Sequence, residues 1–297
     1  MKTVLDYLKE NSLLVDAFLE KKLRYQGVPP VLEKAMRYGT IGGGKKVRAS
    51  LLFASGEAFG VEKDKLLPLA AGMEMIHSFS LIHDDLPCMD DDDYRRGKLS
   101  MHRAFGEAMA VLVGDALLVE GLRIFATDEQ FLKEFGTEKV WEILVALFEA
   151  LGVSGMLSGQ VLDMQKEGKP VDDSVVEQIM VMKTGRFIQA AVLCGGILGG
   201  ARAEERSLLA EFGLLLGKCF QLKDDLLDVT GSTDKLGKTT GKDLVQKKAT
   251  LLRATGFENA KRQLQSWYEE ALSVLSRIRR PVGRLQDIAR FVVEREH

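Results

Sequence analysis

The sequence predicts an all-α protein, a single-domain bundle of about ten helices, by the usual helix length. Three observations lead there. Apolar residues recur at three- and four-residue steps through long segments. Alternating β-branched runs are nearly absent. Glycine and polar clusters punctuate the periodic segments at Gly42–Gly44, Lys166–Pro170, Gly199–Arg202 and Gly231–Gly241. With only 6 prolines and no Ser- or Pro-rich linker, residues 1–297 read as one domain.

The periodicity justifies each long helix in turn. In Leu66–His83 it runs through Leu66, Leu69, Ala70, Met73, Ile76 and Phe79. Val140–Leu157 and Val175–Leu193 follow the same pattern, as does Leu208–Asp228 through Leu209, Phe212, Leu216, Cys219 and Leu226. The apolar faces are wide, which predicts that some helices are buried all round.

Composition bounds the function. Of 297 residues 46% are hydrophobic and 28% charged, enough for a large core. A net charge of −2 gives the chain no general attraction for nucleic acid or an anionic membrane. An anionic ligand must therefore be held by a local cluster or a metal. Cys88, Cys194 and Cys219 are odd in number and far apart, which argues against a disulfide framework or a zinc site and for a reducing cytoplasm. Asp6 and Glu10 interrupt the N-terminal apolar residues, unlike a secretory leader. The longest charge-free apolar stretch, near Ala190–Ala201, is too short and too rich in glycine to span a bilayer, so no membrane span is expected.

Two acidic clusters each close an apolar helix. In Asp224-Asp225-Leu226-Leu227-Asp228, Asp224 and Asp228 are four apart and share a helix face. Two carboxylates one turn apart repel unless a cation lies between them, and their hard oxygens suit Mg²⁺. The first cluster comprises Asp84, Asp85 and Asp90 through Asp93. Pro87 rules out an undisturbed helix there, and a bulge could swing Asp90 back toward Asp84. A single acidic run is usually a solvated loop, and Asp91–Asp93 read as that or as partners for Arg95 and Arg96. Two such runs, each at the end of a strongly apolar helix, weaken the solvated reading.

Four basic groups could hold a polyanion. Gly42-Gly43-Gly44-Lys45-Lys46-Val47-Arg48 puts cations after a glycine turn that allows close backbone approach to phosphate, without the P-loop spacing. The others are Arg95-Arg96, Lys183-Thr184-Gly185-Arg186, and Lys235 with Lys238. Each alone is most often solvated surface. Lys183 is the exception, since it lies among Ile179, Val181, Met182 and Phe187, where an unpaired charge would be costly.

Together these residues resemble the trans-prenyltransferases, the polyprenyl or farnesyl diphosphate synthases, over nearly the whole chain. His77-Ser78-Phe79-Ser80-Leu81-Ile82-His83, then Asp84 through Asp93 and Tyr94-Arg95-Arg96-Gly97, is similar to that family's first aspartate-rich motif in its bacterial form. Phe220-Gln221-Leu222-Lys223 before Asp224 is similar to its second. Leu236-Gly237-Lys238 and Gly241-Lys242-Asp243 resemble its downstream lysine motif.

The resemblance implies an isoprenoid-synthase bundle around a central apolar cavity. It implies Mg²⁺ on Asp84 and Asp90 with Asp85 close by, and on Asp224 supported by Asp225 and Asp228. Three ions are expected with substrate bound, with Mn²⁺ as a substitute. Lys45, Arg48, His77 and Arg96 would hold isopentenyl diphosphate. Arg95, Lys183 and Lys238 would contact the allylic diphosphate, dimethylallyl or geranyl. Thr184 and Gln221 would turn oxygen dipoles toward the allylic carbon as charge develops. A homodimer is also implied.

The implied reaction is head-to-tail condensation in a water-free pocket. Phe79 and Ser80, five and four residues before Asp84, lie about one turn deeper and would form the pocket floor. A bulky ring there predicts farnesyl diphosphate as main product, with the geranyl and geranylgeranyl synthases as neighbouring alternatives. A terpene cyclase would lack the second motif and the basic set. A non-catalytic synthase subunit would be expected to lose motif aspartates.

Overall fold

The computed structural model describes residues 3–169, 171–230 and 250–296. It is all-α apart from one two-stranded ribbon. The described residues divide into two compact units. The first takes the chain up to Phe53 together with Glu62–Thr137, and the second takes Ala54–Val61 and the chain from Glu138 onward.

In the first unit, α1 (Val4–Lys22) begins with a capping box in which Thr3 and Asp6 satisfy each other's backbone donors. Then come α2 (Pro30–Thr40), with proline at its first position, and the first part of α3 (Val47–Ala58), whose residues from Ala54 on belong to the second unit. The long α4 (Lys63–Asp84) is buried along most of its length. A ribbon of β1 (Tyr94–Arg95) and β2 (Lys98–Leu99) follows, then α5 (Met101–Phe105), α6 (Glu107–Ala126) and α7 (Glu129–Phe135). α4 and α6 cross closely because glycine lets them. A methyl group on Gly72 would fall 2.2 Å from the Gly121 carbonyl oxygen, and one on Gly114 would fall 2.0 Å from His83 Nε2.

The second unit holds most of α8 (Thr137–Leu151), then α9 (Met156–Lys166) and α10 (Asp173–Met180). A π-helical turn, Val181–Gly185, joins α10 to α11 (Arg186–Leu198). α12 (Ala203–Thr230), α13 (Leu251–Thr255), α14 (Phe257–Ser276) and α15 (Gly283–Glu294) complete it. Glycines again set the approach of helices: a methyl on Gly217 would meet the Gly185 Cα at 2.4 Å, and one on Gly213 the Gln189 Cα at 2.7 Å.

The expected helices over Leu66–His83 and Leu208–Asp228 lie inside α4 and α12. The run expected across Val140–Leu157 is broken between Leu151 and Met156, where Gly152 and Gly155 interrupt it. The glycine-rich stretch 231–241 lies outside the described residues. Two helical stretches, Thr137–Lys166 and Asp173–Leu198, are long and apolar enough by length and composition to cross a membrane. Each carries a few charges, so neither stands out as a charge-free run in the sequence. In the most apolar 18-residue window of the second, 67% is buried in the protein, as in a core helix.

Candidate active site

The candidate residues fall in both units. In the first, α4 delivers its last turns as His77, Phe79, Ser80 and Asp84. Beyond Asp85 the chain doubles back. The Leu86 amide donates to the His83 carbonyl at 3.2 Å, and the Asp90 amide donates to the Asp84 carbonyl at 2.8 Å. The expected return of Asp90 toward Asp84 is therefore present in the backbone. Pro87, lacking an N–H, sits in the turn that makes it.

Arg95 faces back across this turn. Its Nε donates to both oxygens of Asp85, at 3.0 and 3.2 Å, and Nη2 donates to Asp92 at 3.2 Å and also to Asp85. Asp85 is 1% exposed; burial pushes its carboxyl up to about 6, against the lowering pull of Arg95. The run Asp91–Asp93 divides. Asp92 is buried with Arg95, Asp93 pairs with Arg103 at 3.1 Å, and Asp91 is exposed.

The ribbon turns through Arg96 and Gly97, both at positive φ (54° and 74°), the geometry of a tight hairpin. This sends the Arg96 side chain onto the glycine loop, where Nη1 donates to the Gly43 carbonyl at 3.3 Å. Arg48 is buried, and Lys45 is half-buried on the same loop. Lys46, by contrast, points inward. Its ammonium lies 2.7 Å from the Thr40 carbonyl and 3.2 Å from Asp16.

His77 is held neutral. Burial lowers its pKa well below the ordinary histidine value, and the charges of Arg48, Arg96, Lys46 and Arg95 lower it further. Its Nδ1 is buried and makes no hydrogen bond among the described residues. A polar atom left open amid four cations suits an oxygen-rich anion. A small cavity of about 40 Å³ is lined by Tyr38, Gly43, Ser78, Asp85, Arg95 and Arg96 among others. Phe79 is buried with its ring edge-on to His83 at 5.1 Å.

In the second unit the π-turn presents Lys183 and Thr184. π-turns inside helices often mark functional positions. Lys183 Nζ donates to Asp163 of α9 at 2.7 Å, which meets the need for a partner that its apolar neighbours imposed. The Thr184 hydroxyl donates to Gln221 Oε1 at 2.7 Å, and Gln221 Nε2 donates to Asp225 at 2.9 Å. The carboxylate of Asp225 can only accept, so it fixes which way the Gln221 amide faces. Asp225 and Asp228 are buried on α12. Asp224 is half-exposed and accepts from Arg295 at 2.9 Å, whose guanidinium stacks on the Phe220 ring 4.1 Å from its centroid.

Three of these residues escaped sequence reasoning: Asp163, Asp16 and Arg295. Gly159 and Asp163, four apart, carried the only local hint for the first; a methyl on Gly159 would lie 2.3 Å from the Lys183 amide nitrogen, so this face of α9 abuts the π-turn. Lys238 lies outside the described residues. All three cysteines are free thiols; burial pushes Cys219 up to about 12 and raises Cys194 as well, so neither is a nucleophile.

The donor chemistry fits Mg²⁺. The described residues contain no group of three or more His, Cys, Asp or Glu that would form an all-protein cage. Mg²⁺ is ordinarily held by one or two carboxylates and completes its octahedron with water and substrate phosphate. The half-buried Asp84 and Asp90, and Asp224 one turn from Asp228, are donor sets of that kind.

The polyprenyl synthetase family model matches residues 29–281. The chain belongs to the polyprenyl synthetase family. It is 38% identical over 300 residues to the farnesyl diphosphate synthase of Geobacillus stearothermophilus, covering 99% of both proteins. It is 40% identical over 267 residues to a chloroplastic geranylgeranyl pyrophosphate synthase of Catharanthus roseus, covering 90% of this chain and 72% of that one. Among solved structures it resembles a Helicobacter pylori geranyltransferase complexed with magnesium and isoprenyl diphosphate. The TM-score is 0.85 and the identity 30%, over 99% of this chain and 97% of the other. These polyprenyl synthetases share the all-α architecture described above.

Proposed function

We propose that this polyprenyl synthetase joins isopentenyl diphosphate to dimethylallyl and geranyl diphosphate, head to tail, with farnesyl diphosphate as its main product. The observation that carries the reading is the unpartnered Nδ1 of His77 beside Arg48 and Arg96, one helix segment before the Asp84–Asp90 return. That is a seat for one diphosphate next to carboxylates suited to a metal-bound second one.

Lys45, Arg48, His77 and Arg96 hold isopentenyl diphosphate, with neutral His77 donating or accepting one hydrogen bond. Arg95, Lys183 and Lys238 hold the allylic diphosphate. Mg²⁺, on Asp84, Asp85 and Asp90 and on Asp224, Asp225 and Asp228, supplies Lewis acidity to the allylic leaving group when bound. Three ions with substrate present, and replacement by Mn²⁺, belong to the same proposal.

In the chain Thr184–Gln221–Asp225 the Thr184 hydroxyl donates its proton to Gln221, so its oxygen would turn its negative end toward developing positive charge. The allylic C–O bond breaks and diphosphate leaves. A C–C bond forms from the isopentenyl double bond, and the released diphosphate takes the proton whose loss gives the new double bond. Phe79, buried on α4, forms the floor with Ser80 and limits the chain to fifteen carbons. The Catharanthus relative favours a second reading, a twenty-carbon product.

The family match at 29–281 runs through both compact units, which supports one polyprenyl synthetase domain over 1–297. Exposed apolar residues spaced seven apart, Leu112 with Val119 on α6 and Trp141 with Phe148 on α8, support a homodimer. The free cysteines fit a cytoplasmic setting.

Incubation with dimethylallyl diphosphate and labelled isopentenyl diphosphate, with and without Mg²⁺, followed by chromatography, tests the reading. Metal-dependent fifteen-carbon product is expected. Absence of any elongated product with Mg²⁺ present would refute it, and light scattering reports the dimer.

A further inference from the structure

We infer that Asp16 is a positioning residue that sets the loop carrying Lys45 and Arg48, an inference that rests on the function proposed above. Asp16 belongs to α1, far in sequence from the loop, and no motif includes it. Its Oδ2 accepts the Gly42 amide at 3.2 Å, and its Oδ1 lies 3.2 Å from Lys46 Nζ, an ion pair without hydrogen-bond geometry. The same ammonium donates to the carbonyl of Thr40, the last residue of α2, at 2.7 Å. One carboxylate therefore ties the entry of the loop to its exit, and Lys46 caps α2 while doing so.

The loop needs such a tie. Gly42, Gly44 and Lys46 all hold positive φ, at 74°, 72° and 47°. Glycine tolerates that region, but for lysine it is strained. The Lys46 side chain is fully buried, with 0% exposure, so its ammonium cannot reach a ligand. A buried ammonium is retained only where its partners are well placed. The strained Lys46 backbone and its buried charge thus serve the loop. The turn at Lys46 leaves its neighbours Lys45 half-buried and Arg48 at the start of α3. Arg96 rests on the Gly43 carbonyl of the same loop; burial lowers its pKa, and the Asp16 charge is among those that oppose that lowering. One side chain beneath the loop thereby orders three groups proposed for the same diphosphate, and none of the groups proposed for the allylic one.

The test uses the full chain with Asp16→Asn, Asp16→Glu and the double variant Asp16→Asn/Lys46→Met. In Asp16→Asn the KM for isopentenyl diphosphate should rise about tenfold, while kcat and the KM for the allylic diphosphate stay within about twofold. Amide hydrogen exchange should quicken in peptides spanning 40–48 and not elsewhere. Asp16→Glu keeps the charge and should recover part of the affinity, which also covers the case in which the asparagine variant fails to fold. The double variant removes the buried ammonium as well. It should recover any lost melting temperature but leave the isopentenyl KM high.

An unchanged isopentenyl KM in folded Asp16→Asn, an equal rise for both substrates, or full recovery of the KM in the double variant overturns the assignment. If the wild type elongates nothing, the proposed function fails instead, and the exchange measurement alone decides on Asp16. Unchanged protection of 40–48 then overturns it.

Discussion

Arg96 rests its guanidinium on the backbone of Gly43. Its Nη1 donates to the Gly43 carbonyl at 3.3 Å, and a methyl on Gly43 would fall 2.9 Å from Arg96 Cδ. Gly43 does not hold a positive φ, unlike Gly42 and Gly44, so alanine strains no backbone there. Gly43→Ala therefore isolates the seat of the arginine. It should cost under about 1 kcal/mol of stability. The KM for isopentenyl diphosphate should rise by about tenfold or more, since small misplacements of binding groups are expensive. Normal kinetics with alanine in place would remove Arg96 from the proposed site.

The Arg95–Asp85 pair makes a prediction about stability. Asp85 is almost fully buried, and its carboxylate takes several contacts from one guanidinium. Arg95→Gln leaves that carboxylate buried without its cation. A loss of about 2–4 kcal/mol is expected, toward the low end for a broken buried pair because the Arg95 side chain is 23% exposed. Chemical denaturation at pH 7 measures it, and a loss within error of zero would mean the pair contributes nothing to the fold.

His77 imposes a pH dependence whose sign is fixed. Its folded pKa is depressed, by burial first and by the surrounding cations second. Below the unfolded value near 6.5 the unfolded chain takes up a proton that the folded chain refuses. Stability from this group is thus complete above about pH 6.5 and falls by up to about 1.4 kcal/mol per pH unit below it. Subtracting the denaturation curves of His77→Gln from those of the wild type between pH 5 and 8 cancels the other titrations, that of Asp85 included. A flat difference would show that His77 protonates freely in the folded state.

Thr184→Val keeps the shape of the π-turn but removes the hydroxyl that reaches Gln221. A fall in kcat of about ten- to a hundredfold is expected, with the isopentenyl KM unchanged. Single-turnover kinetics would separate this from slower product release. A change confined to KM would assign Thr184 to binding.

Phe79→Ala should open the floor. Product analysis with excess isopentenyl diphosphate should shift from fifteen to twenty carbons or more. Truncating a buried aromatic also costs about 3–5 kcal/mol, so the assay belongs well below the melting temperature of the variant. A fifteen-carbon product from the folded variant would place the floor elsewhere.

Helical periodicity was enough to determine the fold class and to place the Leu66–His83 and Leu208–Asp228 helices inside α4 and α12. Those features are local, written in residues three or four apart, and a single chain carries them whole. Only the tertiary structure decided which lysine of Lys45-Lys46 turns inward, that Asp163 answers Lys183, that Arg295 meets Asp224, and that Arg95 is taken up chiefly by Asp85. Most of these partners come from elements distant in the chain. A buried charge must find an opposite one, but desolvation specifies only that a partner exists, and packing chooses which.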